Sequence, residues 1–160
     1  MIWLVILVVI LAFQFVVLFL GAPYVPTMHK QRRVALDLLE LKPGQTLIDL
    51  GCGDGAMLIE AAKRGIKSVG YEINPLLAYI AWVRTRKYGN KVKIVRGNFW
   101  QKKWPPADAV FVFLTERYME RLNQNMKNRF KKPVKLVTYG FSISGKKASA
   151  TKGACFLYKY

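Results

Sequence analysis

The chain has 160 residues, with 26 Lys or Arg against nine Asp or Glu, a formal net charge of +17, two cysteines and one histidine. Two cysteines are too few for a disulfide framework, and a lone histidine outside any Cys/His cluster gives no metal site to expect. So large an imbalance points to a polyanionic neighbour, anionic lipid headgroups ahead of nucleic acid, or else to a solvated basic face with no specific partner.

Residues 1–28 carry no charged side chain, and Ile2 to Leu20 is apolar at every position except Gln14. As a helix that run rises ~28 Å at ~1.5 Å per residue, against a hydrocarbon core of ~30 Å. A transmembrane anchor over 1–21 is therefore expected. A cleaved signal peptide fits less well, because the basic start and a small-residue cleavage site are missing. Lys30, Arg32 and Arg33 follow the span, so a single-pass protein with the domain after the span facing the cytoplasm is expected. Residues 22–27 hold two prolines and read as a short stiff linker of at most ~19 Å, which would keep the domain near the bilayer. The remainder, 28–160, reads as one domain.

Within that domain Thr27 caps a helix to about Leu41, stopped by Pro43-Gly44. Strand 46–50 follows, then a helix over about 55–63 and a strand over 68–72. Asn74-Pro75 opens a helix ending near Tyr88. Strands 93–95 and 109–114 come next, then a helix over roughly 116–130, a strand over 134–138 and a last strand over 154–160. Alternating strands and helices predict an α/β, Rossmann-like doubly wound, mostly parallel sheet. Between Gly140 and Gly153 there is room only for a loop or β-excursion, which predicts a truncated version of the usual seven-stranded sheet. From Arg121 onward there are ten Lys or Arg and no acid.

The most informative stretch joins the first strand to the next helix: Asp49-Leu-Gly-Cys-Gly-Asp-Gly55. Gly51, Gly53 and Gly55 make a turn along which a ligand can approach the backbone, and the helix start offers free N–H groups. Glu72 ends the next strand, where a carboxylate suits a ribose. Since position 56 is alanine, the turn also fits a dinucleotide fingerprint. The acids separate the two readings. Asp49 and Asp54 would repel a pyrophosphate, whereas S-adenosylmethionine brings an ammonium and a sulfonium. These charges favour the methyl donor over NAD. Cys52, inside the turn, reads as a small residue that fits.

These residues, with Gly97-Asn-Phe-Trp100, resemble the motifs of class I S-adenosylmethionine-dependent methyltransferases. The resemblance implies that Asp49 and the glycine turn hold the amino-acid part of the cofactor; Asp54, on the same turn, is a further candidate cofactor-binding residue. It implies that Glu72 binds the ribose, that Ile73 and Phe99 flank the adenine, and that Asn98, where many members have Asp, bonds the adenine edge. The order of apolar segment, Pro23-Tyr-Val-Pro26, short helix and core is similar to the small membrane-anchored protein-lysine methyltransferases of mitochondria and their prokaryotic relatives. Those act on the ATP synthase c-subunit or the adenine nucleotide translocase.

Two residues are catalytic candidates. Thr115 stands at the end of the fourth strand, where ligands meet such sheets. Tyr24 precedes the domain and, in the resembling family, its element would cover the cofactor; a membrane-interface tyrosine is the equal alternative. Glu116 reads as a helix N-terminal acid, and His29 as an interfacial residue. The Asn/Asp-Pro-Pro-Tyr/Phe signature of base-amino methylation is missing. The expected activity is methylation of a lysine on a small membrane protein. Methylation of lipid, quinone or RNA, and a non-catalytic cofactor-binding module, are the alternatives.

Overall fold

The structure, a computed structural model, describes residues 1–10 and 29–160. Residues 2–10 are helical, and their apolar side chains are exposed. Among the described residues no helix is long and apolar enough to cross a membrane. That overturns the expected single-pass anchor with a cytoplasm-facing domain. The rest of the expected span, the linker, Tyr24 and Thr27 lie outside the described residues.

Helix α1 (His29–Leu39) leads into strand β1 (Thr46–Leu50), helix α2 (Ala56–Lys63) and β2 (Lys67–Glu72). Helix α3 (Pro75–Thr85) and a 3-10 stretch (Arg86–Lys91) precede β3 (Val92–Arg96) and β4 (Ala109–Val112). A second 3-10 turn (Glu116–Tyr118), helix α4 (Met119–Arg129), β5 (Lys135–Tyr139), β6 (Ala150–Lys152) and β7 (Cys155–Lys159) complete the order.

The strands form one seven-stranded sheet in the order β3-β2-β1-β4-β5-β7-β6. β1 to β5 pair in parallel, and β7 runs antiparallel to both β5 and β6. The expected truncation therefore does not extend to strand number. What is absent is a helix between β5 and β6: residues 140–149 cross there as loop and turn. β6 is only Ala150–Lys152, an edge too short to show a period-two pattern.

The strand side chains alternate between two cores. Ile48, Leu50, Val110, Val112, Leu136 and Tyr158 face Met119, Leu122 and Met126 of α4. Leu47, Ala109, Phe111, Val137 and Leu157 face Ala35, Leu36 and Leu39 of α1, with Met57 and Ala61 of α2. Period-two residues on the strands meet period-3.6 stripes on the helices, which is why a short chain can bury both faces. Gly70 lets α2 and the turn come close: a Cβ there would meet Leu58 Cδ1 at 2.5 Å and Cys52 Sγ at 2.7 Å.

Candidate cofactor site

The switch point of the sheet lies between β1 and β4, since the strand order runs outward from β1 in one direction and from β4 in the other. A crevice forms at the strand C-termini at such a point. Asp49 sits in this end of β1, next to Gly70 on one side and Phe111 on the other. The amides of Gly51 and Cys52 both donate to the Tyr71 carbonyl oxygen at 2.9 Å, and that of Gly55 donates to the Cys52 carbonyl oxygen at 2.9 Å. The turn is therefore pinned to the end of β2. Gly51 has φ +90° with nothing within 4 Å of where a Cβ would stand, so it faces open space.

The two acids differ in how they are held. Glu72 is buried and bonded: its Oε2 accepts from the Gly53 amide and its Oε1 from the Asn74 amide, both at 2.8 Å. Asp49 is only 3% exposed, yet its carboxylate accepts no hydrogen bond from the described residues. Burial, and then the Glu72 carboxylate, push its pKa from 3.8 up to about 8. Burial followed by the charges of Asp49 and Glu72 also pushes the Cys52 thiol well above its usual range, so Cys52 stays a neutral packing residue. A buried carboxylate without a donor beside an open glycine is a site with an unmet need for positive charge. The ammonium of S-adenosylmethionine meets it; a pyrophosphate would deepen the conflict.

Asp54 is held by partners within the chain. Its Oδ2 is paired with Arg84 Nη1, and its Oδ1 accepts from the Ala56 amide at 3.2 Å. Its charge is compensated across to α3. Arg84 is the residue that sequence reasoning passed over; Asn74 was read only as the start of a helix. Asn74 caps α3 through Oδ1, which accepts from Leu76 and Leu77, while its amide binds Glu72. The Asn-Pro start signalled the cap. The pairing of Arg84 with a turn thirty positions earlier leaves no sequence signal.

At the end of β3 the Gly97 amide donates to the Glu72 carbonyl oxygen at 2.8 Å, which brings Asn98 and Phe99 to the same edge as Ile73. Asn98 Oδ1 accepts from the Trp100 amide at 3.0 Å. Its Nδ2 is left as the group that can reach a ligand acceptor. Ile73 is exposed, and Phe99 is half-buried against Trp100, with ring centroids 4.6 Å apart. Thr115 follows β4 at this edge, and its Oγ1 is buried without a hydrogen-bond partner. Glu116 starts the 3-10 turn behind it and is exposed. Tyr24 lies outside the described residues. His29 starts α1 with its Nε2 3.7 Å from Glu60 Oε2. Among the described residues no group of His, Cys, Asp and Glu is placed to hold a metal ion.

A family model described as the ANTKMT methyltransferase domain matches residues 49–150. A protein-lysine N-methyltransferase of Saccharolobus islandicus is 35% identical over 127 residues, covering 77% of this chain and 79% of that protein. The human lysine N-methyltransferase of the ATP synthase c-subunit is 28% identical over 121 residues, covering 74% of this chain and 52% of that protein. The chain thus spans most of the archaeal relative and about half of the human one. Among solved structures, an RNA methyltransferase of Salinibacter ruber in complex with S-adenosyl-L-homocysteine superposes with a TM-score of 0.77. It is 23% identical and covers 85% of this chain and 92% of that one, a likeness of fold. Because one match runs from Asp49 through the whole catalytic edge into β6, the chain belongs to the ANTKMT methyltransferase domain family and takes S-adenosylmethionine as its cofactor.

Proposed function

We propose that this protein is a protein-lysine N-methyltransferase whose acceptor is a lysine on a small membrane protein. The observation that carries the methyl-donor part is the buried, unpartnered Asp49 carboxylate beside the open Gly51. The lysine part is supported by the archaeal and human relatives, whose names specify lysine. The exposed apolar residues 2–10 and the net charge of +17 suit an acceptor in or against an anionic bilayer.

When bound, S-adenosylmethionine supplies a methyl group on a positively charged sulfur, open to direct displacement by a neutral amine. Asp49 would hold the ammonium of its amino-acid part. Glu72 has lone pairs left for the ribose hydroxyls after its two backbone bonds, and Ile73 and Phe99 would flank the adenine. The Asn98 Nδ2 would donate to the adenine edge. The turn glycines Gly51, Gly53 and Gly55 would line the approach, with Asp54 keeping Arg84 against them. Thr115 Oγ1, buried and unpartnered, is the group suited to accept a hydrogen bond from the acceptor amine and so orient its lone pair. Desolvation at this edge favours the neutral amine over the ammonium. Tyr24 is proposed as a second contributor. Its support is that α1 starts at the same edge, where Gln31 meets Cys155 (Sγ to carbonyl oxygen, 4.0 Å) opposite Tyr139 of β5.

The test is transfer of a labelled methyl from S-adenosylmethionine to separated membrane-protein, lipid and RNA fractions, with Asp49→Ala alongside. Label on lysine of a small membrane protein, absent with the variant, is expected. Label confined to lipid or RNA overturns the lysine reading, and retained binding of the cofactor with no label in any fraction points to a non-catalytic module.

A further inference from the structure

Within residues 29–160, the exposed large hydrophobic side chains are Ile73, Leu76, Tyr79, Trp82, Val83 and Phe141. All but Phe141 lie on α3 or on the residue preceding its cap. The helix buries Ala78, Ala81 and Thr85 against the sheet and turns its large residues outward. Leu76 and Tyr79 are each 61% exposed and Trp82 is 52% exposed. This reverses the usual polarity of a surface helix, in which the large apolar residues face inward. A clustered apolar face of this kind marks an interaction site.

The charge around it is one-sided. Residues 73–107 contain eight Lys or Arg and no acid. Arg86, Lys87 and Lys91 follow the helix directly and are exposed. The nearby carboxylates are occupied, Asp54 by Arg84 and Glu72 by the amides of Gly53 and Asn74. The face thus offers Trp, Tyr and aliphatic side chains bordered by uncompensated positive charge.

We propose that α3 is a membrane-surface docking helix, which lies on an anionic bilayer with Leu76, Tyr79, Trp82 and Val83 in the headgroup region and Arg86, Lys87 and Lys91 on the phosphates. Three observations select this occupant. The large residues project from one convex helix, a shape suited to a soft medium. Tyr and Trp favour the membrane–water interface. The Tyr79 and Trp82 rings stack on each other, with centroids 5.9 Å apart, so their faces are only partly free for the base stacking that single-stranded nucleic acid requires. Such helices bury their apolar face ~5–10 Å deep and prefer anionic lipid. The inference goes beyond the proposed methyl transfer and does not depend on the acceptor.

The test uses the full chain carrying Val83→Cys labelled with an environment-sensitive fluorophore. Cys52 and Cys155 are buried and stay unlabelled under native conditions. A Ser144→Cys label, in the loop between β5 and β6, is the control. Vesicles contain phosphatidylcholine alone or with phosphatidylglycerol, and bromine-labelled lipid chains serve as quencher. The label at position 83 is expected to shift to the blue and be quenched only with phosphatidylglycerol, while the label at 144 remains in water. Added salt and the changes Arg86→Gln, Lys87→Gln and Lys91→Gln weaken the effect, by about fivefold for each charge removed. Tyr79→Ser with Trp82→Ser abolishes it while S-adenosylhomocysteine binding is retained. A position-83 label that stays in water while the chain sediments with vesicles overturns the proposal, as does a shift produced by RNA in preference to lipid. A shift that depends on protein concentration without vesicles overturns it in favour of a second copy of the chain.

Discussion

The Gly53 amide donates to Glu72 Oε2 at 2.8 Å, joining the glycine turn to the end of the neighbouring strand through one carboxylate. The other oxygen of Glu72 takes the Asn74 amide, at the cap of α3. Three pieces of the cofactor edge therefore share a single side chain. Glu72→Gln keeps the shape but sets a side-chain NH2 against one of the two amide donors. It is expected to cost about 1–3 kcal/mol of stability in urea unfolding. S-adenosylhomocysteine affinity, read by calorimetry, should fall by tenfold or more, since hydrogen bonds to a charged group are each worth ~1.5–3 kcal/mol.

Asp49 makes cofactor binding and stability respond to pH in opposite directions. Its pKa is raised from 3.8 to about 8 by burial and by Glu72. Without ligand the native chain holds a proton that the unfolded chain has released above 3.8. Its contribution to stability is present below that value and is lost as pH rises to about 8. The ammonium of the ligand's amino-acid part needs the ionised form, so S-adenosylhomocysteine affinity should rise with pH over the same window. Asp49→Asn should flatten both profiles, weaken binding at least tenfold, and raise the ligand-free melting temperature above pH 7 by ~5 °C. An unchanged binding slope in the variant would remove Asp49 from the site.

Two glycines should fail for different reasons. Gly70→Ala drives a methyl into Leu58 and Cys52, and overpacking of this kind costs ~1–3 kcal/mol. Gly51→Ala meets no atom within 4 Å but must hold φ +90°. Its stability loss should be on the order of 1 kcal/mol, with a larger loss of cofactor affinity because the new methyl stands in the open crevice. Thermal melts with and without S-adenosylhomocysteine separate the two.

Thr115→Val tests the acceptor side. The hydroxyl is buried without a partner, so its replacement by a methyl of similar shape should leave stability unchanged or slightly higher. If Thr115 orients the acceptor amine, methyl transfer falls by tenfold or more while S-adenosylhomocysteine affinity is retained. Unchanged transfer would leave Thr115 with no part in the reaction.

The glycine turn, Glu72 and the parallel strands β1 to β5 were legible because each carries a local signature. These are glycines after an apolar run, an acid ending a strand, and short β-rich runs bounded by Gly or Pro. The helix boundaries moved by a few residues: the helix expected to end near Tyr88 stops at Thr85, where a 3-10 stretch begins. The extra strand was legible only as one of two alternatives, a loop or a β-excursion between Gly140 and Gly153. β6 holds three residues, and its place at the edge follows from pairing with β7, a contact with no local pattern. Asp54 reads as a cofactor acid because its position in the turn is visible, while its pairing with Arg84 depends on how α3 packs over α2. The uncharged N-terminal run suggests a span by composition alone, and among the described residues only 2–10 of it is helix.

The placement of β7 between β5 and β6 has a consequence for synthesis. Strand pairing there joins Lys135 to Lys159 and Tyr139 to Cys155, while Ala150 pairs with Leu157. As the chain leaves the ribosome, β1 to β5 can assemble in parallel, but β5 must wait as an open edge with unpaired amides and carbonyls. Only when residues 155–159 emerge can the hairpin fold back and close that side. Until that pairing forms, the folding domain carries a sticky border, and any delay in forming it lengthens its exposure to aggregation.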